Sequence, residues 1–225
     1  MHSVEAAASR VARAPSAHAQ IRVQGKFFFA GPEKYFVKGV TYGPFAVGSH
    51  GSQFPEKEIV AKDFALMAAM GANTVRVFTV PPVWLLDIAA DNGLKVLVGL
   101  PWSQHVTFLD SREIQEEARR AVLSGVRACQ RHHAVFAYLI GNEIPPDMIR
   151  WHGADKVRAF LKDLVARVKE EGPGCLVSYA NFPSTEYLTI DFTDFLCFNV
   201  YLHNEDAFRR YVSRLKNLAV AKPLV

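Results

Sequence analysis

The chain has 225 residues, 50% of them hydrophobic and 21% charged, which is ordinary for a globular protein and short of the roughly 250 residues of a complete α/β barrel. Its 26 basic and 22 acidic residues leave a formal charge of only +4, and no run of Lys and Arg interleaves with aromatics, which argues against nucleic acid as a partner. Cys129, Cys175 and Cys197 are widely spaced and form no CxxC pair, which argues against a disulfide framework or a zinc site; no metal and no cofactor is expected.

Residues 1–20 are rich in Ala and Ser, with scattered charge and no apolar core of a secretory signal. They are expected to form a disordered tail, and the missing signal favours a cytoplasmic location. No apolar run reaches 18 residues, so no membrane segment is expected. Next come β-rich runs at 21–29 and 35–40, separated by Ala-Gly-Pro-Glu-Lys, which predict an N-terminal β-hairpin leading into a first core strand. Strand-like segments then recur at 73–80, 95–102, 135–140, 176–181 and 195–203. Helical periodicity fills the intervals at 56–70, 82–91, 111–131, 154–171 and 205–220. Gly71 suits a helix C-terminus, Pro82 a first turn, and Asp110 or Ser111 the cap of the long third helix.

This alternation of strand and helix predicts parallel strands covered by helices. Six strands are present and Lys222–Val225 (KPLV) looks like the start of a seventh. The expected fold over 21–225 is therefore α/β, an incomplete (β/α)8 TIM barrel of about six and a half strands. A doubly wound sheet needs no closure, but neither GxGxxG nor GxxxxGK[ST] follows any strand. An unclosed barrel exposes strand edges, so the isolated chain is expected to associate.

Within such a barrel one strand face packs on helices, while the other fills the barrel or lines its C-terminal mouth. In the sixth strand Leu196, Phe198, Val200 and Leu202 share one face, while Cys197, Asn199, Tyr201 and His203 share the other. The polar set should face the axis. In the second strand Arg76 points opposite to Val75 and Val77. A buried guanidinium needs a carboxylate or several acceptors, so Arg76 predicts an acidic partner near the mouth, unless it bridges surface loops. The stretch FAYLIGNEIPP ends the fourth strand and delivers Glu143 where barrel active sites lie, after Gly141 for backbone freedom and before the stiffening Pro145 and Pro146. Ideal alternation would aim Asn142 and Glu143 at opposite faces. If both serve one site, a bulge or turn must begin near Gly141. A helix-capping or surface Glu is the plainer alternative.

In this order, KYFVKGVTYGPF, ANTVRVF, LIGNEIP and CFNVYLH resemble the retaining glycoside hydrolase barrels of clan A. The first of them, with the preceding hairpin, is similar both to the fungal β-1,3-glucanosyltransferases and to family-2 β-galactosidases and β-glucuronidases. The resemblance implies that Glu143 is the general acid/base and that Asn142 binds the sugar 2-hydroxyl. It implies that Arg76 and Tyr201 orient the nucleophile, and that Trp102, His105 and His203 line the sugar site. The partner is then an oligo- or polysaccharide, and the reaction is hydrolysis of β-linked O-glycosyl bonds. Transglycosylation stays open, as does a non-catalytic carbohydrate-binding module of a larger glycosyltransferase fusion. Retaining glycosidases need a second carboxylate roughly 5–5.5 Å from the first. In the clan it follows a stretch like KPLV, so the chain is expected to be inactive alone and to continue into a downstream domain. Glu186 and Glu205 are weak internal substitutes.

Overall fold

A computed structural model describes residues 19–48, 51–129 and 132–225. The tail expected at 1–20 lies almost wholly outside these; Gln20 is tied down, its side-chain amide donating to the Gly174 carbonyl at 3.1 Å.

Strands β1 (Ile21–Gln24), β2 (Phe27–Ala30) and β3 (Glu33–Tyr35) form an antiparallel sheet in the order β1-β2-β3. The expected hairpin is present as β2–β3, and β1 adds a third strand to it. The run at 21–29 folds back on itself at Gly25, whose φ of 58° is cheap only for glycine. The run at 35–40 is divided between β3 and the first barrel strand, β4 (Gly39–Tyr42).

From β4 the chain runs through β5 (Thr74–Val77), β6 (Lys95–Gly99), β7 (Val135–Asn142), β8 (Val177–Asn181) and β9 (Cys197–Phe198). These strands pair in parallel and in unbroken chain order. A doubly wound sheet reverses its order at a switch point, and none occurs here, so the sheet curls as part of a barrel. Beyond β9, Leu224 bridges Leu196 in parallel, which puts the start of a further strand where KPLV suggested it.

Among the described residues six helices cover the outside: α1 (Lys57–Ala69), α2 (Val83–Asp91), α3 (Arg112–Cys129), α4 (Pro146–His152), α5 (Ala154–Glu171) and α6 (Glu205–Leu218). Of the two candidate caps for α3, Ser111 serves, its Oγ accepting from the Ile114 N–H at 3.2 Å. Helix α4 has no counterpart among the expected elements; two prolines precede its short apolar pattern, although Pro146 is well suited to a first turn.

Two separate cores result from the period-two alternation. Val75, Val77, Val96, Val98, Tyr138 and Ile140 point outward into the helices. Leu97, Ala137, Leu139, Ala180 and Cys197 point inward. Strand β6 reads as an almost continuous apolar run because both faces are covered, as parallel strands require. The antiparallel sheet plugs the lower end of the barrel. Phe28 meets the rings of Phe136 and Phe195 edge-on, at 5.0 and 5.3 Å between centroids, and the Tyr35 hydroxyl donates to the Asn73 carbonyl at 2.7 Å. With Phe28 and Tyr35 packed against its base, the half-barrel is covered at that end, opposite the C-terminal strand ends.

Candidate active site

At that mouth the chain departs from regular geometry. The pairing of β7 with β8 shifts register between Leu139 and Asn142, and Glu143 takes a left-handed φ of 52°. A residue with a Cβ pays about 1 kcal/mol or more for this conformation, so the turn must be held by its surroundings. It is the irregularity that alternation required: Asn142 and Glu143 now serve one site. Gly141 has a different purpose from the one expected. Its φ is not positive, but a Cβ there would lie 2.9 Å from Gln104 Oε1 and 3.2 Å from the Tyr179 ring. The glycine permits close approach rather than backbone freedom.

Five side chains, from β5, from the end of β7 and the residue after it, and from the segment after β9, interlock. Arg76 donates from Nη1 to Asn199 Oδ1 at 2.5 Å and from Nη2 to Asn142 Oδ1 at 2.6 Å. Asn199 Nδ2 donates to Asn142 Oδ1 at 2.8 Å and to Glu143 Oε1 at 2.7 Å. The Tyr201 hydroxyl reaches the same Glu143 oxygen at 3.3 Å. Desolvation of that hydroxyl and the adjoining Glu143 carboxylate hold the Tyr201 phenol above its ordinary range. The acidic partner expected for Arg76 is thus replaced by two amide oxygens, several acceptors in place of one charge. Its Nε is buried without a partner among the described residues.

Behind this cluster, Tyr179 and Gln104 support the main chain. The Ile144 N–H donates to the Tyr179 hydroxyl at 2.8 Å, immediately after the left-handed turn. Burial raises the Tyr179 phenol, so it stays a neutral hydroxyl. The Asn142 N–H donates to Gln104 Oε1 at 3.0 Å, and Gln104 Nε2 donates back to the Asn142 carbonyl.

The other expected site residues divide. Trp102 and His105 line a cleft of about 270 Å³ together with Arg76, Phe78, Gln104 and Asn142. Trp102 is nevertheless largely a packing residue: its indole N–H donates to the Ile140 carbonyl at 2.7 Å and its ring meets Phe108 and Phe160 edge-on. His105 is exposed at the rim. His203 and Tyr201 lie beyond the short β9 and are exposed; Tyr201 still reaches Glu143, whereas no bond joins His203 to the cluster among the described residues. The expected strand at 195–203 therefore holds its alternation only as far as Asn199. On its outer face Leu196 and Phe198 line an apolar hollow of about 320 Å³ against Leu218 and Val220, while Leu202 is exposed. Glu186 is paired with Arg214 and Glu205 with Arg209, and no bond of either to the Glu143 cluster occurs among the described residues.

Two residues of the cluster are not singled out by sequence reasoning. Asn199 belongs to the inward face of its strand without an assigned role; its position two residues before Tyr201 is the available signal. Gln104 offers none, because it acts on the main chain of a residue 38 positions away.

A model of glycoside hydrolase family 72, described as glucanosyltransferase, matches residues 10–201. The 1,3-beta-glucanosyltransferase gel1 of Aspergillus fumigatus is 25% identical over 168 residues, covering 70% of this chain and 37% of its own. The 1,3-beta-glucanosyltransferase gas5 of Schizosaccharomyces pombe is 24% identical over 163 residues, covering 69% of this chain and 32% of its own. The chain thus spans about a third of the length of these curated relatives. Among solved structures, Bacteroides uniformis β-glucuronidase superposes with a TM-score of 0.74 at 19% identity, over 91% of this chain and 26% of that one. Saccharomyces cerevisiae Gas2p in complex with laminaripentaose superposes with a TM-score of 0.68 at 18% identity, over 92% and 53%. At such identities the structural likeness establishes the barrel fold.

Proposed function

Because this chain belongs to the glucanosyltransferase family, we propose that it carries the acid/base portion of a retaining transglycosylase acting on β-1,3-linked glucan. Of the two families that the sequence resembles, the glucanosyltransferases supply the matching family model, while the β-glucuronidases share the barrel. Transfer is accordingly favoured over the simple hydrolysis first expected.

One observation carries the reading. Glu143 leaves β7 on a left-handed turn, and one of its carboxyl oxygens is held by Asn199 and Tyr201 beside the Arg76–Asn142 pair. With Oε1 held, Oε2 is free to carry the proton to a glycosidic oxygen. Glu143 first protonates the leaving group, then takes a proton from the incoming sugar hydroxyl. The Asn142 side chain lies one residue before it, suited to the sugar 2-hydroxyl. The second carboxylate of a retaining pair would stand roughly 5–5.5 Å away, at the end of a strand beside β9, the place that Pro223–Val225 begin to occupy. There it would meet the exposed Tyr201 and the uncompensated charge of Arg76.

The experiment takes the chain extended by the strand that supplies the second carboxylate, incubates it with reduced β-1,3-gluco-oligosaccharides and separates the products by length. Products longer than the donor, lost in Glu143→Gln, are expected. Only shorter products would make it a hydrolase. Oligosaccharide binding without any turnover would favour the carbohydrate-binding reading.

A further inference from the structure

We propose that Gln104 is a positioning residue that sets the direction of both Asn142 and Glu143 by acting as a one-residue substitute for a neighbouring strand. Its catalytic consequence rests on the acid/base reading of Glu143; its structural part does not.

Strand β6 stops at Gly99, and its last rung to β7 is the Leu100 N–H donating to the Leu139 carbonyl at 2.9 Å. Strand β7 continues to Asn142, past the end of β6. On its other side the ladder to β8 persists, with the Glu143 N–H donating to the Ala180 carbonyl at 2.9 Å. A main-chain N–H and C=O at Asn142 facing the departed β6 would be left without partners, an expensive arrangement in a buried site. Gln104, only 8% exposed in the loop after β6, meets both with one primary amide: Oε1 accepts from the Asn142 N–H at 3.0 Å, and Nε2 donates to the Asn142 carbonyl. A carboxamide presents an acceptor and a donor side by side whatever the pH, as a peptide unit does.

The fit is tight from a second direction. Gly141 leaves room for the amide, since a Cβ there would stand 2.9 Å from Gln104 Oε1. Held between Gln104 and β8, Asn142 cannot rotate about its own backbone, and the next residue is forced into its left-handed φ of 52°. The donor and acceptor of Gln104 therefore act on catalysis through another residue. Without them, Glu143 relaxes toward extended backbone and its carboxyl swings away from Asn199.

The test compares Gln104→Leu and Gln104→Glu. Leucine removes both bonds; glutamate keeps the acceptor and regains a donor only when its carboxyl is protonated. Backbone hydrogen exchange is read at Asn142 and Glu143, with Ala137 and Tyr138 as the strand-interior reference. Expected in Gln104→Leu is a loss of protection of about tenfold or more confined to Asn142 and Glu143. Expected in Gln104→Glu is protection that recovers as pH falls. In glucan transfer, kcat should fall about 10- to 100-fold with KM within about threefold, the pattern of lost positioning. Unchanged protection at Asn142 overturns the proposal, as does loss of protection spread evenly over β7, which marks a merely structural residue. If the chain completed by the second carboxylate transfers no glucan in its unsubstituted form, the functional reading fails instead, and the exchange result still decides Gln104.

Discussion

The Asn199 amide donates to Glu143 Oε1 at 2.7 Å, which ties a residue just past β9 to the carboxyl at the end of β7 across the mouth of the barrel. Asn199 is 8% exposed, and its own oxygen is held by Arg76. It thus transmits the Arg76 charge to the Glu143 site while remaining neutral itself. Asn199→Ala should lower kcat/KM by about two orders of magnitude, through loss of an oriented donor. Asn199→Asp should act differently. A like charge beside Glu143 disfavours its ionised form and should move the alkaline limb of the pH–rate profile upward. Steady-state kinetics of both variants across pH distinguish these effects.

Arg76 should be as important to folding as to the site. Both of its terminal nitrogens are engaged, with two amide oxygens gathered around them. Arg76→Met leaves the Asn199 oxygen without its donor and should cost about 1–3 kcal/mol in chemical denaturation. Arg76→Lys cannot span both acceptors in a fixed fork and should recover less than half of that loss.

Gly141→Ala tests the close approach. With a Cβ at 2.9 Å from Gln104 and 3.2 Å from the Tyr179 ring, the substitution should destabilise by about 1–3 kcal/mol through overpacking. It should also reduce transfer more than its stability loss accounts for, since both displaced groups hold the Glu143 turn. Paired denaturation and activity measurements at a temperature where the variant stays folded provide the check.

Alkaline pH should weaken the fold. Burial lifts the Cys197 thiol to about 11 from an ordinary 9.0, and burial lifts Tyr35 to about 12 from 10.0. The unfolded chain releases these protons first, so the folded state holds more of them in the interval between. Stability is then full below pH 9 and declines as pH rises through 9 to 11 for Cys197 and 10 to 12 for Tyr35. Cys197→Ala should flatten the lower interval, by on the order of 2 kcal/mol, in urea titrations at pH 8 and pH 11.

Much of the barrel is legible in the sequence because parallel strands buried on both faces leave unmistakable runs such as Lys95–Gly99, and helices with one wet face leave a clear period. Glu143 is legible for a related reason: a carboxylate that breaks the end of an apolar strand marks the barrel mouth, where water and substrate enter. What escapes depends on relations across the fold. The division of residues 35–40 between β3 and β4 follows from the plug sheet meeting the barrel, which local pattern does not encode. Arg76 calls for an acid by charge alone, whereas two asparagines suffice, one ending β7 and one just past β9. Trp102 is expected beside the sugar and does line the cleft, but its tie to the Ile140 carbonyl carries no local signal. Gln104 acts on a backbone, and backbones carry no sequence signal.

The role of Glu143 is tested most directly by Glu143→Ala, in the chain completed by the second carboxylate, supplied with a β-1,3-glucosyl donor bearing a dinitrophenolate leaving group and with sodium azide. Such a leaving group departs without protonation, and azide needs no general base. If Glu143 is the acid/base, azide restores turnover and the product is the β-glycosyl azide. An α-glycosyl azide would make Glu143 the nucleophile, and turnover unaffected by the substitution would remove it from the chemistry; either result contradicts the account.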